Sequence, residues 1–373
     1  MSWLKKVTAA AAASAIALSM ASCGKDTTWG ADIDGIRLRA GILIYYQSSA
    51  ISDAYGYMGE EDENVLDIAI EDQPAREWIN NKAVESMRKY AAVENKFSEL
   101  GLSFKNKEDE LAKINAEQWW EYLGPYYEEV GVSEQSYIDV VVNNEKERAL
   151  FDYYYAEGGE KEVSKEEIAS YLKDKYARIK YLEMPLKDGE GNILKSDEKA
   201  DVVTMANEYI SRMENGESFD VISDEYDEYY AALSASGEDE SGITINSPDS
   251  DASGVELVDP SGEEDSASEE PDYGTVISKD NIVLPSAVIE KVFSEDFAEN
   301  SYALVEEFEV CYIVYKMDLF ADEEYLENNA SSARHALKDE EFDGLVDGWL
   351  ASQNVVVNDA SLKRYTLDKI LEY

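Results

Sequence analysis

The sequence predicts an α+β protein, a mainly helical body interrupted once by a compact unit of strands and helices. Residues 73–175 read as almost continuous amphipathic helix, whereas 177–185, 302–305 and 309–317 are short apolar runs rich in β-branched and aromatic residues. Helical periodicity then returns beyond residue 322. An order of helical, mixed and again helical places one domain inside another, and 373 residues suffice for about two domains of roughly 150 each.

The elements follow in order. Around Asp34-Gly35 the apolar positions Ile33, Ile36 and Leu38 alternate with polar ones, as in a hairpin or a strand-turn entering a helix over 39–57. A second helix opens at Gln73-Pro74 and closes by Gly101; its Ile79, Ala83, Met87, Tyr90 and Phe97 step by three, four or their sum and form one stripe. Further helices are expected over 106–130, 133–155 and 164–175, the last opened by the capping box of Ser164 and Glu167. A strand over 177–185, a loop over 188–192 and helices over 197–214 and 219–230 come next. Residues 234–272 are rich in Ser, Gly, Pro, Asp and Glu and hold no lysine or arginine, a composition that cannot bury enough apolar surface to offset its ordering entropy. This acidic insert is expected to be disordered. Structure is expected to resume over 276–284, followed by a helix over 287–293 and strands over 302–305 and 309–317, and a helix over 330–353, a strand over 355–357 and a tail close the chain. The expected organisation is a helical lobe over 31–172, an α+β unit over 173–321, and a closing segment over 322–373 that packs back on the first lobe.

Composition limits the function. With 81 acidic against 33 basic residues, the net charge is −48, and no Lys/Arg cluster exists to displace counterions from a phosphate backbone, so nucleic acid is excluded as a partner. His335 is the sole histidine, there is no Gly-x-Ser-x-Gly turn, and no glycine-rich phosphate loop occurs. Chemistry based on zinc, nucleotide or a catalytic triad is therefore disfavoured, and neither cofactor nor metal is expected. Asp188-Gly-Glu190-Gly-Asn192 lacks the glycine and glutamate of a calcium loop and reads as a solvated turn. Trp78, Trp119, Trp120, Tyr126, Tyr127 and Trp349 are candidates for apolar contact with an extended chain.

At the N-terminus, Lys5 and Lys6 precede an apolar stretch over 7–18, and Met20-Ala21-Ser22 leads into Cys23. This resembles a bacterial lipoprotein signal over 1–22, followed by a tether over 23–30. The resemblance implies a diacylglycerol on Cys23 and a place on the extracytoplasmic face of the bacterial cell membrane. Cys311 is then left without a partner and reads as a small buried hydrophobe.

Gly216, Phe219 and Ile222 after the second of the mixed unit's elements resemble the Gly-x-x-Phe-x-x-Leu-Ala segment of parvulin-type peptidyl-prolyl isomerases. Leu284-Pro285 with Val288 and Phe293 is similar to that family's later helix, Lys180-Tyr181-Leu182-Glu183 to its opening strand, and Val-Cys-Tyr-Ile-Val-Tyr-Lys over 310–316 to its last. Asp32-Ile33-Asp34-Gly35-Ile36 resembles the entry of the SurA/PrsA-type chaperone domain. The resemblance implies an extracytoplasmic foldase that binds unfolded or newly secreted polypeptides, with a small antiparallel sheet and flanking helices in its inserted domain. Where parvulins carry two strand histidines and a cysteine or aspartate, this chain holds Tyr181, Tyr312 and Tyr229, and the pocket phenylalanine falls at Val288. The resemblance thus implies a peptide-binding set of Tyr181, Val288, Phe293 and Tyr312, with at most weak isomerase activity and no cofactor. A solute-binding lipoprotein that delivers a small ligand to a transporter is the competing reading. It requires two lobes of repeated strand-helix alternation.

Overall fold

The computed structural model describes residues 28–59, 63–104, 107–188, 191–235 and 273–372. The signal, Cys23 and all but the start of the acidic insert lie outside them. The chain divides into two units: one runs to Val163 and resumes at Arg334, and the other spans Ser164–Ala333. The expected boundaries at 172 and 321 thus move by several residues each. The helix capped by Ser164 belongs with the sheet that it feeds, and the closing helix starts upstream of residue 330.

In the first unit, β1 (Trp29–Ile33) and β2 (Ile36–Arg39) form a hairpin. Its two-residue turn has φ of 51° at Asp34 and 86° at Gly35, the left-handed pair that matches strand twist and that Asp-Gly tolerates. The Asp32 carboxylate accepts from the Gly35 N–H at 3.1 Å and fixes the turn. The third strand of this sheet is β9 (Val355–Val357), which pairs antiparallel with β1. Two helices, α1 (Ala40–Tyr55) and α2 (Ala75–Glu99), lie against the sheet, α3 (Glu108–Val130) packs on α4 (Glu134–Tyr155), and α4 packs in turn on α1 and α2. The stripe expected on α2 is buried in full. A short hairpin, β3 (Ala69–Ile70) with β4 (Gln73–Pro74), precedes α2, so Pro74 caps that helix instead of starting it. Its two-residue strands are too short to show alternation in sequence.

The second unit opens with α5 (Lys165–Lys175), whose capping box is present as expected. It continues through β5 (Tyr176–Pro185), α6 (Ser196–Glu214), α7 (Phe219–Ala235), β6 (Thr275–Ser278), α8 (Ser286–Val292), β7 (Ser301–Glu306) and β8 (Val310–Met317). The four strands form an antiparallel sheet in the order β6-β5-β8-β7. Leu182, Met184, Cys311 and Ile313 face α6 and α7, while Ala177, Ile179, Tyr312 and Val314 face α8. Covering both faces explains why β5 and β8 are almost continuously apolar. Within the segment where structure was expected to resume, over 276–284, the strand ends at Ser278, and the chain turns and leaves Ile282 and Val283 exposed. Helix α7 reaches Ala235, two residues into the stretch assigned to the insert.

The closing helix α9 (Glu323–Leu350) begins seven residues before its expected start, among residues grouped with the second unit, and continues into the first. Two further short helices, α10 (Asp359–Arg364) and α11 (Leu367–Leu371), follow β9 where only a tail was expected. Leu367 and Ile370 of α11 bury against Ile44, Ala75 and Ile79. No helix of the described residues is long and apolar enough to cross a membrane.

Candidate functional site

On the sheet face toward α8, the rings of Tyr181 and Tyr312 sit side by side, with centroids 6.5 Å apart and planes inclined by 49°. The strand period puts them there: Tyr181 opposes Val314 across the ladder, and Glu183, two residues along the same face, opposes Tyr312. Val288 of α8 is wholly buried beneath them, and Phe293 packs at the edge of the same cluster. These four residues of the expected peptide-binding set therefore share one face. Tyr229 does not join them. It lies on α7, beside Tyr226 at 6.1 Å between ring centroids, and α7 covers the opposite face of the sheet. Spacing along the chain placed all three tyrosines in one list, but only register within the sheet tells which face each occupies.

Burial raises the hydroxyl of Tyr312 above the ordinary phenol range, and Glu183, Tyr181 and Glu307 add to that rise. Tyr181 is raised too, by burial and then by Glu183. Both phenols are therefore neutral at physiological pH and can donate to a peptide carbonyl, but neither is a base. Lys316 of the same strand is already committed: its ammonium donates to the carbonyls of Val292 at 2.7 Å and Phe297 at 2.9 Å, closing the end of α8. Cys311, on the other face, is wholly buried, and burial pushes its thiol up to about 11, which removes it as a nucleophile near neutrality. His335 is a partly exposed packing residue, stacked on Phe151 at 4.0 Å and bonded to Asp339 at 2.8 Å.

The second candidate surface belongs to the first unit. Helix α3 is apolar on two sides. Ala112, Ala116, Gly124 and Val130 face inward, and Trp120 and Tyr127 stack with planes 5° apart while packing on the core. Outward stand Leu111, Ile114, Trp119, Tyr122, Leu123 and Tyr126, with Trp119 60% and Tyr122 78% exposed. At about 100° per residue the outward set covers roughly half the helix circumference. The structure therefore sorts the aromatic candidates. Trp119 and Tyr126 meet solvent, Trp120 and Tyr127 are half-buried, Trp78 is buried, and Trp349 packs on Tyr154 at 6.4 Å between centroids. Tyr122, Leu111 and Ile114 escaped notice in the sequence. The signal was present, because the inner register set by Ala112 and Ala116 leaves them on the far side.

Among solved structures, the chain is similar to the foldase protein PrsA from Lactococcus lactis, with a TM-score of 0.33 and 10% identity over 91% of this chain and 99% of that one. It is also similar to the foldase protein PrsA from Streptococcus pneumoniae, with a TM-score of 0.27 and 11% identity over 76% of this chain and 88% of that one. No protein-family model matches the chain, and no curated protein does.

Proposed function

We propose that this protein is a membrane-tethered extracytoplasmic chaperone that holds unfolded secreted polypeptides on the outward face of α3. The observation that carries this reading is the set of six large apolar side chains left in solvent on one helix of an otherwise highly charged chain. Monomeric proteins seldom leave such a patch without a partner. Aromatic rings suit a sequence-tolerant client, because they offer large contact area at low entropic cost. The acidic surface keeps the protein soluble while the patch stays open.

The α+β unit contributes a second, smaller binding face, at which the partly exposed Tyr181 donates to a client carbonyl while buried Tyr312 and Val288, with Phe293, form the wall behind it. Without a titratable network it adds little to isomerisation, whose barrier is about 18 to 20 kcal/mol. Among the described residues, that unit holds one antiparallel sheet, which gives no support to a solute-binding protein of two strand-helix lobes.

The purified chain at several-fold excess should suppress the light scattering of an unfolded client; unchanged scattering would end the chaperone reading. In a prolyl-peptide assay, wild type and Tyr312→Ala should give the same rate as buffer. Acceleration by wild type that the variant loses would show a working isomerase. The tether is supported by the lipoprotein-like signal ending at Cys23. Cys23→Ala should move the protein from the membrane to the soluble fraction, and retention in the membrane would exclude the lipid anchor.

A further inference from the structure

Among the described residues the sheet of the second unit has two edges, β6 and β7, and only β6 is protected. It is four residues long, and the Asn281 N–H already takes its Ser278 carbonyl at 3.1 Å. Strand β7 runs for six residues, Ser301 to Glu306, with no proline, lysine or arginine and no break in its register with β8. Proteins ordinarily blunt such an edge with charge, proline, a bulge or brevity, because its free backbone groups are a template for another strand. The first unit follows that habit: its edges are the three-residue β9 and β2, which carries Arg37 and Arg39.

The phase of the ladder shows which groups are free. The Glu307 N–H donates to the Val310 carbonyl at 2.9 Å, so these two residues close the β7-β8 hairpin as a hydrogen-bonded pair. Antiparallel strands alternate bonded with non-bonded pairs. The backbones of Val305 and Ala303 therefore face β8, whereas Tyr302, Leu304 and Glu306 aim their N–H and carbonyl groups off the open edge. Only a second extended backbone matches donors and acceptors set two residues apart. The side chains at the edge are unfinished as well: Tyr302, Ala303 and Leu304 belong to the cores on the two faces of the sheet, yet each is only half-buried.

We propose that β7 takes up an extended segment of an unfolded polypeptide as an added strand, with preference for a segment of alternating apolar residues that carries a lysine or arginine. Main-chain bonds supply affinity in this mode, and alternate side chains supply selectivity. Charge chooses the partner. Glu306 is exposed at one end of the edge. Toward the other end, burial, Tyr315 and Glu214 raise the Tyr302 hydroxyl, which puts the Glu214 carboxylate close by. A cation on the incoming strand is favoured at either end, whereas a second copy of this chain would bring its own net charge of −48. The edge belongs to a different unit from the outward face of α3 and does not depend on the holding of clients there.

The test uses the full chain and three labelled, capped peptides of alternating valine and threonine between terminal lysines: unmodified, N-methylated at every second residue, and N-methylated at every residue. Methylation deletes the donor, so the second peptide keeps one pairing edge and the third keeps none. By fluorescence polarisation the first two are expected to bind within about threefold of each other, and the third at least about tenfold more weakly, as the loss of two or three main-chain bonds requires. Hydrogen exchange locates the site: the amides of Tyr302, Leu304 and Glu306 should slow at least about tenfold when the unmodified peptide saturates the chain. Glu306→Pro removes one outward donor at an edge position that tolerates proline, and should weaken that peptide at least about threefold without moving the thermal midpoint. The methylation series needs no variant, so the test stands even if this one folds poorly. Equal affinity for the fully methylated peptide, the result of side-chain capture on α3, overturns the proposal. So does binding of none of the three, unchanged exchange at β7, or wild-type affinity in a folded Glu306→Pro. Dimerisation of the wild type that Glu306→Pro abolishes gives the edge to a second copy and overturns it too.

Discussion

Replacing Trp119, Tyr122 and Tyr126 together with serine is expected to abolish most of the suppression of client aggregation while leaving the fold in place. The three rings are the most extended part of the outward face of α3, and Trp119 and Tyr122 lie edge to face at 6.4 Å. Covering each ring with a client is worth about 1.5 to 3 kcal/mol, so losing three weakens holding by a hundredfold or more even after generous allowance for non-additivity. Serine has nearly the same helix propensity as tryptophan and tyrosine, and exposed substitutions usually change stability by no more than about 0.5 kcal/mol each. The thermal midpoint should therefore stay nearly constant. The inward neighbours Trp120 and Tyr127 must be left alone, because they pack on the core. Full suppression of aggregation by the triple variant would remove α3 as the client-holding surface.

Arg178→Met should unravel the second unit selectively. Arg178 sits on β5 with its side chain 5% exposed, donating to the carbonyl of Leu319 at 3.1 Å and to that of Tyr273 at 3.1 Å. Its guanidinium lies 3.8 Å from the Asp322 carboxylate and over the rings of Tyr273 and Tyr325. One buried fork thus holds the chain just before β6 to the chain just after β8. Methionine fills the stem but leaves two carbonyls unpaired at about 1 to 3 kcal/mol each, for a loss near 3 kcal/mol. Segment-resolved hydrogen exchange should show amides of β5, β6 and β8 exchanging about a hundredfold faster, since 1.4 kcal/mol corresponds to a factor of ten. All five described tryptophans lie in the first unit, so its fluorescence melt should be unmoved. Exchange within threefold of wild type would mean that the fork is dispensable.

Much of the fold was legible because it follows from local rules. The Asp34-Gly35 turn, the Ser164 and Glu167 capping box and the α2 stripe are each fixed by residues a few positions apart. What sequence could not show depends on partners far along the chain. Ile282 and Val283 continue an apolar run that begins at Val276, yet among the described residues no strand pairs with them, and they stay exposed. Tyr229 sits beside Tyr226 on a helix whose side of the sheet is set by how α7 docks. By contrast, the pairing of Tyr181 with Tyr312 required nothing beyond the alternation of two neighbouring strands.

The strand β9 beside β1 sets an order of events during synthesis. The Asn354 N–H donates to the Asp34 carboxylate across 320 residues, and Ser361 donates to the Trp29 carbonyl across 332. A chain delivered from its N-terminus therefore offers β1 and β2 long before their third strand has emerged. The second unit, continuous from Ser164 to Ala333, can close as soon as β8 is delivered. Its closure shortens the effective loop between β1 and β9 and lowers the entropic cost of joining them. The inserted unit is thus the natural first folder, and the outer unit is completed only on release of the last residues.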